Sequence, residues 1–203
     1  MDSQEAQRQA WERAAPVYDR TMASWERRWI GDYRRDLVSR AVGAVVEVGI
    51  GTGANLDHYP VGVAVIGVDA SPAMLAQARQ RAARQGRDLT VVVGDADHLA
   101  LPDASADTLV ATLLLCSVPD VATSLAEFAR VLRPGGLLLL LDHVESSLAP
   151  VRWLQWVADR ATSATGERWR RRPILQLAAA GFTVEWTRAS RGRLLEAVSA
   201  RRD

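Results

Sequence analysis

The residues Glu47-Val48-Gly49-Ile50-Gly51-Thr52-Gly53-Ala54-Asn55 place one acid and three glycines in a single turn. An apolar run, VVEV, leads into it, and a short helical segment stopped by Pro60 leads out. Glycines in such a turn allow tight backbone angles and let a ligand approach the main chain. A helix that begins there offers unpaired N–H groups. In open α/β sheets, ligands collect at the carboxyl ends of the strands. A cofactor site at Glu47, Gly49, Gly51 and Gly53 is therefore expected. Gly49-x-Gly51-x-x-Ala54, with Asp69 beyond it, also satisfies the dinucleotide fingerprint. Three features count against that reading. Glu47 lies inside the strand, where a carboxylate suits an amine-bearing or cationic ligand better than a pyrophosphate. Pro60 shortens the following helix. A further acid, Asp95, ends a third strand, so Glu47, Asp69 and Asp95 flank three successive strands on one rim.

The surrounding elements explain how those acids come together. Short apolar runs at 45–49, 63–68, 89–94, 106–115 and 137–141 read as strands. Helical patterns lie between them. Ser71-Pro72 places a cap and a first-turn proline ahead of one, and Gly86 ends it. Another runs over 121–132 and stops at Pro134-Gly135-Gly136. Alternating strands and helices predict βαβ units and a parallel sheet covered on both faces. One or two helices are expected between 150 and 180. FTVEWT and LLEAVS then form a closing hairpin around Gly192. The expected fold is α/β, a doubly wound seven-stranded mixed sheet with a C-terminal antiparallel hairpin. The whole chain, 1–203, reads as one domain: a helical lid over 1–40, a core over 41–145 and C-terminal helices and hairpin over 146–203.

Charge and aromatic residues follow the same division. Residues 41–150 hold six Arg and twelve acids, whereas 151–203 hold eleven Arg and five acids. All seven Trp lie outside 41–150, and the chain has no Lys. Schiff-base chemistry and a lysine-dependent phosphate loop are thereby excluded. A net charge of +1 gives no global pull toward nucleic acid or anionic membrane. With a single cysteine, Cys116, no disulfide framework and no Cys-based metal site are expected. The polar N-terminus carries no secretory signal pattern, and no apolar run approaches membrane length, so a cytoplasmic location is expected.

Four blocks carry a family resemblance: VVEVGIGTGAN, VIGVDASPAMLAQAR, VVVGDADHLALPDASADTLV and FARVLRPGGLLLLLDH. Together they resemble the class I S-adenosylmethionine-dependent methyltransferases, of the methyltransferase type 11 or UbiE-like kind. GTGANLDHYP, LCSVPD, RVLRPGG and DHV resemble branches that include thiol S-methyltransferases, and the N-terminal APVYD resembles the quinone and phospholipid branches. The resemblance covers about half the chain and fades after residue 150. It implies S-adenosylmethionine as cofactor. It further implies that Gly49, Gly51 and Gly53 line the methionyl part and that Glu47 anchors the rim through the loop backbone or the amino group. Asp69 would accept from the ribose hydroxyls, beside Ala70 and Ser71, and Asp95 from the adenine amine, with Ala96 on the ring. Leu115 and Cys116 would lie under the transferring methyl, and Tyr18 would cover the cofactor.

The implied reaction moves a methyl group to a small, hydrophobic acceptor, with thiol or hydroxyl favoured. The alternatives are a phospholipid or quinone methyltransferase at the membrane surface and a non-catalytic cofactor-binding protein. His143, after the fifth strand, is the candidate base, because imidazole titrates near neutrality. His58 and His98 read as structural or solvated, Cys116 as buried and inert, and Asp120 as a helix cap. Three widely spaced histidines predict no metal site. The segment Leu115–Asp120 lacks the box of nucleic-acid amine methylases, so nucleic acid is disfavoured as a partner. Trp25, Trp29 and Tyr33, and likewise Trp153 and Trp156, are expected to pack in the core. Their alternatives are an acceptor-pocket roof or peripheral membrane contact by the helix at 25–37. Arg168–Arg172 reads as a solvated, ion-paired helix start. The oligomeric state is left open.

Overall fold

The computed structural model describes residues 3–161 and 168–203. One seven-stranded sheet organises them: β1 (Val45–Val48), β2 (Val65–Asp69), β3 (Leu89–Val93), β4 (Ala106–Thr112), β5 (Leu132–His143), β6 (Phe182–Ala189) and β7 (Leu195–Arg202). Their order across the sheet is β3-β2-β1-β4-β5-β7-β6. The first five run parallel, and β7 joins β5 and β6 antiparallel. The expected mixed sheet and terminal hairpin are both present. The order reverses at β1, beside β4, which is where the carboxyl ends of an open sheet part to admit a ligand.

The central strands are apolar because both their faces are covered. All four residues of β1 are buried. Leu109, Leu138, Phe128 and Leu125 pack one face, with α5 (Val121–Val131) across it. Leu37, Val110, Leu139 and Leu141 pack the other, against α3 (Gly31–Val38). Each helix begins where its sequence dictates. Ser71 Oγ accepts the Met74 N–H and starts α4 (Pro72–Gln85). Asp120 accepts the N–H groups of Ala122 and Thr123 and starts α5, as its sequence position predicts.

The helical stretch expected over 1–40 is broken into several pieces. α1 (Ser3–Ala14) is followed by α2 (Tyr18–Trp25), a π-helical turn at Glu26–Ile30, and then α3. The extra residue in a π turn rotates the face that follows it. The four-residue stripe is split as a result: Leu37 is fully buried, whereas Trp25 and Trp29 stay 58% and 49% exposed. Core packing of these rings is corrected, and so is that of Trp153 (63% exposed) and Trp156 (41%) on α6 (Ala149–Ala161). Among the described residues no helix is long and apolar enough to cross a membrane. The segment 162–167 lies outside the described residues.

Candidate functional site

At the carboxyl ends of β1, β2, β3 and β4 lies a cleft of about 360 Å³. That volume falls at the lower end of small-ligand sites. Its floor is the glycine turn. Gly49 and Ile50 both donate to Val68 O, which ties the turn to β2. Gly49 has φ +70°, and a Cβ there would come within 2.8 Å of Leu114 Cδ1. Only glycine meets both conditions.

Asp69 shapes the wall beside the turn. Its Oδ2 accepts the Gly51 N–H at 2.8 Å and its Oδ1 the Ser71 N–H at 2.9 Å. The Ala70 N–H also reaches this carboxylate, whose roughly four lone-pair sites still leave acceptor capacity for a ligand. Burial pushes the Asp69 carboxyl above the usual carboxylate range, and the backbone donors oppose that rise. Asp95, at the end of β3, is exposed on the opposite side of the cleft with Ala96 and Asp97.

β4 supplies the apolar side. Leu113 leaves the strand in the left-handed region, φ +55°, where a side chain is strained. The cleft is lined there by Leu113, Leu114, Val118 and Pro119. The N-terminal helices close the mouth. Trp11 and Tyr18 line it edge to face, ring centroids 6.1 Å apart. Glu12 Oε2 accepts from Ser71 Oγ at 2.5 Å and from the Ala73 N–H at 3.2 Å. Gln7 Nε2 donates to Ser117 O at 2.8 Å, and Thr52 Oγ1 to Asp19 Oδ1 at 2.6 Å. These bonds hold α1 and α2 on three edges of the cleft at once.

The expected residues therefore divide. Tyr18, Gly49, Gly51, Asp69, Ala70, Asp95 and Ala96 come together around the cleft. The others sit behind its wall. Gly53 has φ +81° and lets Leu56 and Ala78 close in, since a Cβ would meet them at 2.8 and 3.4 Å. Ser71 is buried as the cap of α4. Leu115 and Cys116 are buried beneath Leu114 and Ser117, which take the places at the surface. His143 lies at the end of β5, stacked on Trp169 with centroids 4.3 Å apart.

Glu47 is also buried, below the turn. Its carboxylate accepts from Asn55 Nδ2 at 2.8 Å and from the Tyr59 hydroxyl at 2.7 Å, so side chains hold it rather than loop backbone. Burial raises its pKa to about 7, and those two donors with nearby Arg34 restrain the rise. Arg34, also buried, donates to Asn55 Oδ1 at 2.8 Å and Thr112 Oγ1 at 2.9 Å. Its other edge meets both oxygens of Glu26, in the π turn, at 2.8 and 3.2 Å. Thr112 lines the cleft, so this network connects the N-terminal helices to the cleft floor. Sequence reasoning missed Arg34, Thr112 and Tyr59. The available signal was Asn55, the single Asn of the chain, at the end of the glycine turn.

The Arg168–Arg172 run is corrected too. Arg168–Trp169–Arg170 is a turn rather than a helix start. Arg171 reaches the carbonyls of Leu115, Val118 and Pro119 and ties the β4–α5 loop from behind.

The cleft suits a ligand with donors at one end and an apolar neighbour at the other. S-adenosylmethionine carries ribose hydroxyls, an adenine amine and an ammonium group as donors. The spare acceptor positions on Asp69 and the exposed carboxylate of Asp95 match that set in kind.

Comparison with known proteins agrees with this chemistry. The family described as Methyltransferase domain matches residues 46–140. The chain is 35% identical to a demethylmenaquinone methyltransferase of Tropheryma whipplei (strain Twist), over 75% of this chain and 67% of that protein. It is 32% identical to a thiol S-methyltransferase of Homo sapiens, over 71% of this chain and 61% of the relative. The chain thus spans about three fifths of the length of that human relative. A solved S-adenosylmethionine-dependent methyltransferase from Thermotoga maritima shares the fold, with a TM-score of 0.74 at 21% identity, over 95% of this chain and 98% of that one. These likenesses make the chain a member of the class I S-adenosylmethionine-dependent methyltransferases.

Proposed function

We propose that this chain transfers the methyl group of S-adenosylmethionine to a thiol on a small, apolar acceptor. The bound cofactor supplies an electrophilic methyl on a sulfonium, so the protein's task is alignment and exclusion of water. In this reading Asp69 and Asp95 hold the donor-rich end of the cofactor, with Ala70 and Ala96 beside it. Gly49 and Gly51 leave room for the methionyl end. Tyr18 and Trp11 cover the cleft, and α1 with α2 acts as its lid.

One observation carries the choice of acceptor. Among the described residues the cleft wall holds Leu113, Leu114, Val118 and Pro119 but no His, and the chain has no Lys. The wall therefore gives a hydroxyl no base that titrates near neutrality. A thiol needs less help, since a few per cent is already thiolate at neutral pH. The human thiol S-methyltransferase relative supports the same reading.

The test is a methyl-transfer assay with labelled donor over matched thiols, phenols and amines. Thiols should turn over fastest, with a rate that rises with pH toward the acceptor's own thiol pKa. Preference for amines, or a rate indifferent to the acceptor's acidity, would overturn the thiol assignment. Cofactor binding by calorimetry with no turnover of any acceptor would favour a non-catalytic binding protein. Asp69→Ala should weaken cofactor binding about a hundredfold, equivalent to about 2.7 kcal/mol. Unchanged affinity in that variant would remove Asp69 from the cofactor site.

A further inference from the structure

The fold brings Cys116 of the β4–α5 loop beside the adjacent pair Asp142-His143 at the end of β5, 26 residues further along the chain. Cys116, Asp142 and His143 each offer a ligand atom, and these three atoms lie within 4.8 Å of one another. Cys116 and Asp142 are buried, and His143 is half-buried. The Asp142 carboxylate accepts from the Cys116 thiol and from the Cys116 N–H at 3.1 Å. Its other oxygen takes the His143 N–H at 3.0 Å. Nδ1 of His143 is shut off from solvent and has no hydrogen-bond partner among the described residues. A polar nitrogen withdrawn from water with nothing opposite it is costly.

The surroundings fix these groups in place. Trp169 stacks on the imidazole at an interplanar angle of 16°. The Arg168 N–H donates to Cys116 O at 2.8 Å, and Arg171 holds Leu115 O at 2.9 Å. The Trp169 N–H in turn donates to Asp159 Oδ1 at 2.6 Å. The loop bearing Cys116 is thus clamped to β5 on one side and to the 168–171 turn on the other.

We propose that Cys116 Sγ, the Asp142 carboxylate and a ring nitrogen of His143 form a binding site for a divalent ion of the zinc type. A thiolate, an imidazole and a carboxylate are the donor set that zinc takes, and three protein ligands leave one tetrahedral position for water or an exogenous ligand. Binding replaces the Cys116 thiol proton with the metal and releases that proton to solvent. It requires only small side-chain adjustment, because the three atoms already share one locus. The ion joins the β4–α5 loop, which carries the apolar wall of the cleft, to β5. His143 then serves as a ligand, which accounts for its place behind the wall. The site stands independently of the thiol assignment.

The experiment is a titration of the chelator-treated full chain with Co2+, a spectroscopic stand-in for Zn2+, monitored in the near ultraviolet. One Co2+ per chain should bind with a thiolate-to-metal charge-transfer band, and Zn2+ should displace it. Cys116→Ser should abolish the band, and His143→Gln should weaken binding at least tenfold. Thermal unfolding should shift upward with Zn2+ and return with chelator. Absence of the band in the wild-type chain would overturn the site. So would a His143→Gln titration indistinguishable from wild type. If Cys116→Ser does not fold, the wild-type band and the His143→Gln titration still decide. Cofactor calorimetry on the same preparations separates this result from the methyl-transfer reading.

Discussion

The centre of the chain and its flanks put their characteristic residues to opposite uses. In the acidic, Trp-free centre, Glu47, Asp69 and Asp142 are withdrawn from water, and each is met by several donors. In the Arg/Trp flanks, four tryptophans remain substantially exposed. Arginines there lie over rings, as Arg40 does on Trp186 at 4.1 Å and Arg160 on Trp156 at 3.4 Å. Acids of the centre are drawn inside, and aromatic rings of the flanks stay outside. The two regimes touch at Arg34, a flank residue that is buried in the floor of the centre.

Arg34 is therefore where the contrast breaks most cheaply. Arg34→Met keeps the length of the side chain but strands Asn55 Oδ1 and the partly exposed Glu26. Removing one partner of a buried ion pair costs about 3 kcal/mol or more. The urea midpoint of the variant should fall accordingly with an unchanged slope. A loss below about 1 kcal/mol would mean that Arg34 contributes no more than a surface pair does.

Glu47 tests the centre alone. Its folded pKa of about 7 lies above the ordinary 4.5 because burial penalises the charged form. The folded state then binds a proton more tightly than the unfolded chain. Stability should fall as pH rises from about 4.5 to about 7, and level off above that. Glu47→Gln cannot ionise and lacks this slope. Asp69 and Asp142 are raised by burial in the same direction, so only the difference between variant and wild type isolates Glu47. That difference should move in favour of Gln by roughly 3 kcal/mol across the window. Parallel stability–pH curves would show that folding leaves the Glu47 pKa unchanged.

These two residues also mark what the sequence could disclose. The alternation of strands and helices, the terminal hairpin, the glycine turn and the rim acids Asp69 and Asp95 are legible, because hydrophobic period and turn chemistry are local. Glu47 was recognised as unusual for its place inside a strand, but its partners were not. Asn55 and Tyr59 are eight and twelve residues away, and Arg34 joins them only through the fold. The split of the Trp25–Leu37 stripe was hidden for another reason. A π turn at Glu26–Ile30 changes the helical period, and no residue type announces it. The Cys116–Asp142–His143 cluster was hidden because its members lie on different strands' ends, 26 residues apart across the first pair.

The smallest effect should come from the flank. Trp25 and Trp153 are 58% and 63% exposed, and each is replaced by Ser in separate variants. Surface substitutions of this kind usually change stability by less than about 0.5 kcal/mol. Leu37→Ala, on the buried end of the same stripe, should cost about 2–5 kcal/mol. The ratio of the two measures how sharply the π turn divides the helix. If Trp25→Ser approached the Leu37→Ala loss, the ring would be covered in the protein in solution, and the stripe would be continuous. If only Leu37 matters, the exposed rings contribute nothing to folding, and the π turn divides the helix into a buried and a solvent-facing part.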